Sequence, residues 1–439
     1  MNRREALLLS GALAASALAG CVGSGDQHTT DTPTTTPSET PREPPSGTPS
    51  VDDERLAELA SGNAAFALDL HNSLAAEQGG NLFVSPYSIS VALAMTYAGA
   101  RGETETQMRE TLRYTLGEDV HPAFADLSAT LDSRTTTEDP VSGEDVDAFQ
   151  FAVANALWGR EGVPFLDDYL NLVEQYYGAG LRQADFVGDP DGERERINSW
   201  VADQTEDRID ELLPANSISA QTVLVLTNAI YFMASWQFEF DPADTKDETF
   251  TALDGTESTV PMMHQNIRTN YAELANAQAV ELPYVGEEVS MVLILPDDGE
   301  FESFEQDLDA EMLFGIFDEL GDAAGDLALP KFEYETDVLL SEALEALGMP
   351  VAFGGGADFS GMVENGGLWI DEVYHDSFVS VDEEGTEAAA ATAVVMTESA
   401  PPQWGELRFD RPFLFCIRDK PTDAVLFLGR VVDAGSAQG

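Results

Sequence analysis

Beyond about Val51 the chain runs to its end without a second linker, and this constrains its fold more than any other feature. So long a stretch without a low-complexity break must be one large body, or domains joined without a spacer. Its 439 residues, 43% of them hydrophobic, suffice to bury a large core. Helical periodicity is clear in LAELASGNAAFALDLHNSLAAE and SISVALAMTYAGA, and SWVADQTEDRIDELL over 199–213 continues it up to Pro214. Strand-like runs follow: TVLVLTNAIYF, AVELPYV, VSMVLILP, LALPKFEY, FVSVDEE, RPFLFCI and AVLFLGRVV. Helices dominate the first half, and strands with some helices the second. That segregation predicts an α+β fold with mostly antiparallel sheets, and no internal repeat is visible.

Charge is the outlier of the composition. Eighty acidic residues stand against 21 basic ones, a formal net charge of −59, and only Lys246, Lys331 and Lys420 are lysines. Acid spread evenly along a Lys-poor chain reads as the surface of a halophilic protein. In molar salt the Debye length is roughly 3 Å, so the self-repulsion is largely screened. Such a surface repels nucleic-acid phosphates and excludes nucleic acid as a partner.

The N-terminus, MNRREALLLSGALAASALAGC, places Arg3 and Arg4 before an apolar stretch from Ala6 to Gly20. That stretch falls short of the ~20 residues a membrane span needs. It resembles a twin-arginine export signal over residues 1–20. Leu18 to Cys21 resembles a lipobox in which Cys21 becomes the lipidated first residue, as in a haloarchaeal-type lipoprotein. An ordinary signal peptide with an unrelated cysteine also exports the chain. Residues 21–52 are Thr, Pro, Ser and acid, a tether extending up to ~3.1 Å per residue. The expected location is therefore extracellular, with the membrane touched only through a lipid at Cys21. The other cysteine, Cys416 in FLFCI, is expected to be a buried, unreactive thiol.

Catalytic motifs are scarce, and the chain is not expected to be an enzyme. None of the five histidines lies in H-E-x-x-H or beside a G-x-S-x-G elbow. Gly354, Gly355 and Gly356 have no following lysine and read as a loop. Asp189, Asp191 and Gly192 lack the remaining ligands of a calcium loop, and a helix N-cap suits them better. Neither a metal nor a cofactor is called for.

The body resembles a serpin over residues 55–434, in eight blocks that keep the family's order. These are NLFVSPYSISVALAMTYAGARGETETQM at 81–108, NALWGREG at 155–162 and INSWVADQTEDRIDELLP at 197–214. LVLTNAIYFMASWQFEFDPADTKDETF at 224–250, VPMMHQ at 260–265 and VELPYVGEEVSMVLILP at 280–296 follow. HDSFVSVDEEGTEAAAATA at 375–393 and FDRPFLFCIRD at 409–419 complete the series. The resemblance implies a serpin domain over 53–434, with 435–439 as a tail. It implies three β-sheets, about nine helices and an exposed reactive-centre loop. In the family an inhibitor is cleaved in that loop as a substrate; the loop then inserts into a sheet and the acylated protease is carried along and deformed.

The resemblance also assigns residues. Glu383, Gly385, Thr386, Glu387, Ala388, Ala389, Ala390 and Ala391 match the inhibitory hinge. Ser85, Ser88, Asn228 and His375 match the "shutter", a polar cluster where sheet strands part. Trp236 matches the "breach" tryptophan, although Met233-Ala234-Ser235 stands where the family has Lys-Gly-Lys. Family spacing from Gly385 puts the cleaved bond at Ser399–Ala400. Aligning Pro401 and Pro402 gives Glu398–Ser399 instead. A small residue before the bond points to a subtilisin-like or elastase-like serine protease, met by a monomeric inhibitor. The alternative is a non-inhibitory serpin serving as an extracellular binding or chaperone-like protein.

Alternation along a strand gives the hinge its physical sense. An inserted strand would present Thr386, Ala388, Ala390, Thr392, Val394 and Met396 on one face. Glu387 falls on the other, so no ionised group need enter the core, where an unpaired charge costs several kcal/mol.

Overall fold

The computed structural model describes residues 53–138, 145–178, 180–364, 367–386 and 401–438. The first part contains α1 (Asp53–Gln78), β1 (Leu82–Val84), α2 (Pro86–Tyr97), α3 (Gly102–Thr111) and α4 (Val120–Asp132). Next come β2 (Thr136–Glu138), β3 (Asp145–Asp147), β4 (Phe149–Arg160), α5 (Asp167–Tyr177), β5 (Arg182–Ala184), α6 (Pro190–Gln204) and β6 (Leu224–Ser235). Strands β7 (Lys246–Thr251), β8 (Glu257–Glu273), β9 (Ala277–Pro283) and β10 (Val289–Pro296) precede α7 (Phe301–Asp307) and α8 (Ala310–Glu319). The rest is β11 (Gly321–Pro330), β12 (Phe332–Leu339), α9 (Ser341–Leu347), β13 (Val373–Val381), β14 (Gly385–Thr386), β15 (Gln403–Arg408), β16 (Phe413–Asp419) and β17 (Ala424–Val431).

Three sheets result among the described residues. The largest has nine strands, ordered β1-β17-β16-β10-β9-β8-β11-β15 with β7 on β8. The second has six, ordered β12-β13-β6-β4-β5 with β14 on β6, and β2 and β3 form a two-stranded ribbon. Pairing is mostly antiparallel; β13 with β6, β4 with β5, and β11 with β15 are parallel.

Strand β6 is buried on both faces. Leu224, Leu226, Ile230 and Phe232 face the main core, while Val225 and Ala229 face smaller clusters that include Ile197 and Val201 of α6. A strand covered on both sides needs the near-continuous apolar run LVLTNAIYF. Helix α2 is buried along almost its whole length beneath these strands, matching a sequence apolar all round.

Two expectations about elements change. The helix expected to reach Pro214 ends at Gln204, and Glu206 and Asp207 adopt left-handed φ values of 52° and 60°. Thr205 explains the break: its hydroxyl donates to Val201 O and accepts from Ile209 N, competing with the helix ladder. The turn lets Ile209, Leu212 and Leu213 drop into the core. LALPKFEY is not one strand either. It divides at Lys331 between β11 and β12, which lie in different sheets. Asp189 caps α6, its Oδ1 accepting from Gly192 N at 3.1 Å.

Candidate functional site at a strand seam

Strand β6 has one edge filled by β4, from Phe149 opposite Ala234 to Gly159 opposite Leu224. Its other edge is shared. Strand β13 occupies it in parallel from Val373 opposite Leu226 to Phe378 opposite Tyr231. Beyond that point β13 leaves, and β14 takes the edge antiparallel, Thr386 opposite Ala234 and Gly385 opposite Ser235. Gly385 and Thr386 thus sit at the mouth of a seam between two parallel strands.

Close packing dictates what can sit there. A Cβ on Gly385 would stand 2.2 Å from Ala234 O and 2.7 Å from Ser235 Cα, so only glycine fits. Thr386 is 1% exposed and its hydroxyl lies 2.9 Å from the Tyr284 hydroxyl. Tyr284 stacks on Trp236 at 4.7 Å with an interplanar angle of 6°, and burial raises its phenol well above the ordinary value. Trp236 holds the segment before the glycine: its indole N–H donates to Asp382 O and its backbone N–H to Glu384 O, both at 3.0 Å.

Glu383 anchors the same segment by charge. Lys331 Nζ lies 2.6 Å from Glu383 Oε2, and the Thr245 hydroxyl donates to Oε1 at 2.6 Å. Burial alone would raise this carboxyl, but the Lys331 and Thr245 hydrogen bonds bring it below its usual value.

Lower in the seam the residues matched to the shutter come together. Ser85 N–H donates to His375 Nε2 at 3.3 Å, so Nδ1 carries the ring hydrogen and donates to Asn228 Oδ1 at 2.5 Å. Asn228 Nδ2 donates to Ser88 Oγ at 2.7 Å and Asn155 Oδ1 at 2.5 Å. Ser85 caps α2, accepting from Ser88 N at 3.2 Å, and its hydroxyl donates to Leu426 O at 2.7 Å. His375 belongs to β13 and Asn228 to β6, so this side-chain bond crosses the seam beside the backbone ladder. Burial pushes the His375 imidazole down to about 3, which keeps it neutral and able to accept from Ser85.

Sequence reasoning missed four members. Asn155 lay inside the block NALWGREG but was not singled out. Ser377, whose hydroxyl donates to Phe83 O at 2.6 Å, follows His375 by two residues. Tyr284 likewise lay inside the block at 280–296 without being singled out, and Lys331 carried no local signal apart from the rarity of lysine. Glu387, Ala388, Ala389, Ala390, Ala391, Glu398, Ser399, Ala400 and Cys21 lie outside the described residues, as do the reactive loop, export signal and tether. Cys416 is fully buried, and burial pushes its thiol up to about 12.

Known proteins match this chain in sequence and fold. The sequence profile described as "Serpin (serine protease inhibitor)" matches residues 61–434. An uncharacterized serpin-like protein of Thermococcus kodakarensis is 40% identical over 372 residues, 84% of this chain and 84% of its own length. The leukocyte elastase inhibitor of Sus scrofa is 38% identical over 386 residues, 86% of this chain and 99% of its own. The crystal structure of the thermophilic serpin tengpin in its native state matches with a TM-score of 0.75 and 30% identity, covering 88% of this chain and 95% of that one. With its seam, seated hinge and polar bridge, this chain belongs to the serpin family.

Proposed function

We propose that this serpin is an exported inhibitor of serine endopeptidases that acts as a suicide substrate. One observation carries the reading: Thr386 is already buried at the mouth of the seam, facing the core against Tyr284. It is the first residue of the alternate set that carries no charge. Extending the β14 register along β6 sets Ala391 against Ala229, Thr392 against Asn228 and Met396 against Leu224. Thr392 then brings a hydroxyl to the amide that His375 now holds. Glu387 stays off the core face.

The driving force is adequate. A strand of a dozen residues gains ladder hydrogen bonds at ~1 kcal/mol net each. Val394 and Met396 add ~2 kcal/mol each on burial. The total exceeds the ~5–15 kcal/mol that holds a typical domain folded, enough to distort a protease tied to the loop.

The small residues around Ser399, and the elastase inhibitor among the relatives, favour an elastase-like or subtilisin-like target. The Arg-Arg signal, Cys21 and the Thr/Pro tether favour action outside the cell on a lipid anchor, by a monomer with a salt-adapted surface.

The test is incubation of the full chain with subtilisin and with pancreatic elastase. The expected results are an SDS-resistant complex and a released peptide that begins at Ala400 by mass spectrometry. Nicked protein should melt far higher than intact protein. Loop cleavage with neither complex nor rise in melting temperature would replace this reading by the non-inhibitory one.

A further inference from the structure

Asp376 of β13 takes no part in the polar cluster of His375 and Asn228. It lies opposite Ala229 of β6 and Asp337 of β12, in the middle of the paired stretch. Its neighbours His375 and Ser377 point into the core, so Asp376 projects from the other face. There Val201, Ile209 and Leu212 cover Ala229. Asp376 is 3% exposed, and its Oδ1 has no hydrogen-bond partner.

The groups around it are mostly acidic. Glu335 and Asp337 project from β12 to the same face, Glu335 within hydrogen-bond reach. Strand β13 adds Tyr374, with Asp371 and Glu372 near its hydroxyl, and β6 adds Tyr231. The segment after α6 brings Glu206 and Arg208, the guanidinium lying 5.6 Å over the Tyr231 ring. Burial first, then the charges of Glu335 and Asp337, push the Asp376 carboxyl up to about 8.

A protonated Asp376 can lie in this setting at little cost. An ionised one is a buried charge facing two further carboxylates. Parting β6 from β13 admits water and relieves it. The strand that would follow relieves it no further, because the β14 register brings Ala391 to this row.

We propose that Asp376, with Glu335 and Asp337, is a proton-operated latch on the seam: proton in place, β6 and β13 stay paired; proton lost, the strands part more readily and a new strand enters faster. The latch rests on strand insertion at this seam and is separable from protease trapping.

The experiment uses the intact full chain and a synthetic peptide of residues 386–397, TEAAAATAVVMT. Its annealing rate is followed on native gels from pH 6 to pH 9. His375, held at about 3, does not titrate there. The parent should anneal several-fold faster at the alkaline end, rising no more steeply than about tenfold per pH unit for one proton. Asp376→Asn should anneal slowly and without pH dependence. Glu335→Gln should move the rise to lower pH, and it supplies the readout if the first variant does not fold. An Asp376→Asn rate that climbs like the parent's, an unmoved Glu335→Gln profile or a flat parental profile each overturns the latch. A flat parental profile with intact protease complexes overturns the latch alone; pH-dependent annealing without complexes overturns only the inhibitor reading.

Discussion

Thr386 is the residue whose replacement tests the seam most directly. Its side chain is enclosed and hydrogen-bonded to Tyr284, so a longer charged group cannot enter without leaving its charge buried. Thr386→Arg should fold, because the displaced hinge can swing into water, but it should block the first step of strand entry. The expected outcome is a fall of at least about tenfold in SDS-resistant complex with loop cleavage retained, since several kcal/mol of burial cost exceeds the 1.4 kcal/mol that a tenfold change represents. Undiminished complex would show that insertion does not begin at this contact. In the sequence Gly385 matched the family's hinge. Why it must be glycine was not legible there, because the clash comes from Ala234 and Ser235, far away in the chain.

Among elements, the seam between β6 and β13 shares the acid response with α4, which carries buried His121. Burial holds His375 near 3 and His121 near 4, below the ordinary ~6.5 of a free histidine. The folded chain therefore binds fewer protons than the unfolded chain between those values, and stability is lost as pH falls from about 6.5 toward 4. Asp376 acts in the opposite sense: its raised carboxyl contributes stability that is present in acid and lost as pH climbs toward about 8. On the acid side the two histidines work against Asp376 and against Asp132, Asp337 and Asp423, whose carboxyls burial also raises. Melting temperature should fall below pH 6.5, and His375→Gln should make that fall shallower; an unchanged slope would remove His375 from the account. Alternating and continuous apolar runs made β6, β10, β13, β16 and β17 readable in the sequence, and the motif order gave the fold. The end of α6 and the division at Lys331 were hidden. Both are decided by partners distant in sequence: the core that receives Ile209, and the two sheets that claim β11 and β12. Asn155 and Tyr284 were missed for the same reason.

At the scale of the whole molecule, the net charge of −59 sets the conditions in which these parts work. Surface repulsion favours the expanded chain until salt screens it, with the Debye length falling from ~10 Å at 0.1 M to ~3 Å at 1 M. Melting temperature should therefore climb steeply as KCl rises from about 0.1 M to about 3 M. A flat response would mean that the acidic surface carries no salt adaptation. The Glu383–Lys331 pair, partly sheltered in the fold, should keep the hinge in register through this range.

The antiparallel start that β14 makes on β6 also fixes a length. From Thr386 opposite Ala234 to a final row at Leu224, the entering ribbon would advance along almost all of β6. At ~3.3 Å per residue that is a stroke of roughly 35 Å, comparable to the width of a small protein. A passenger tethered at the trailing end would be towed that distance in one direction, and no reversal could return it without unpicking every rung already laid.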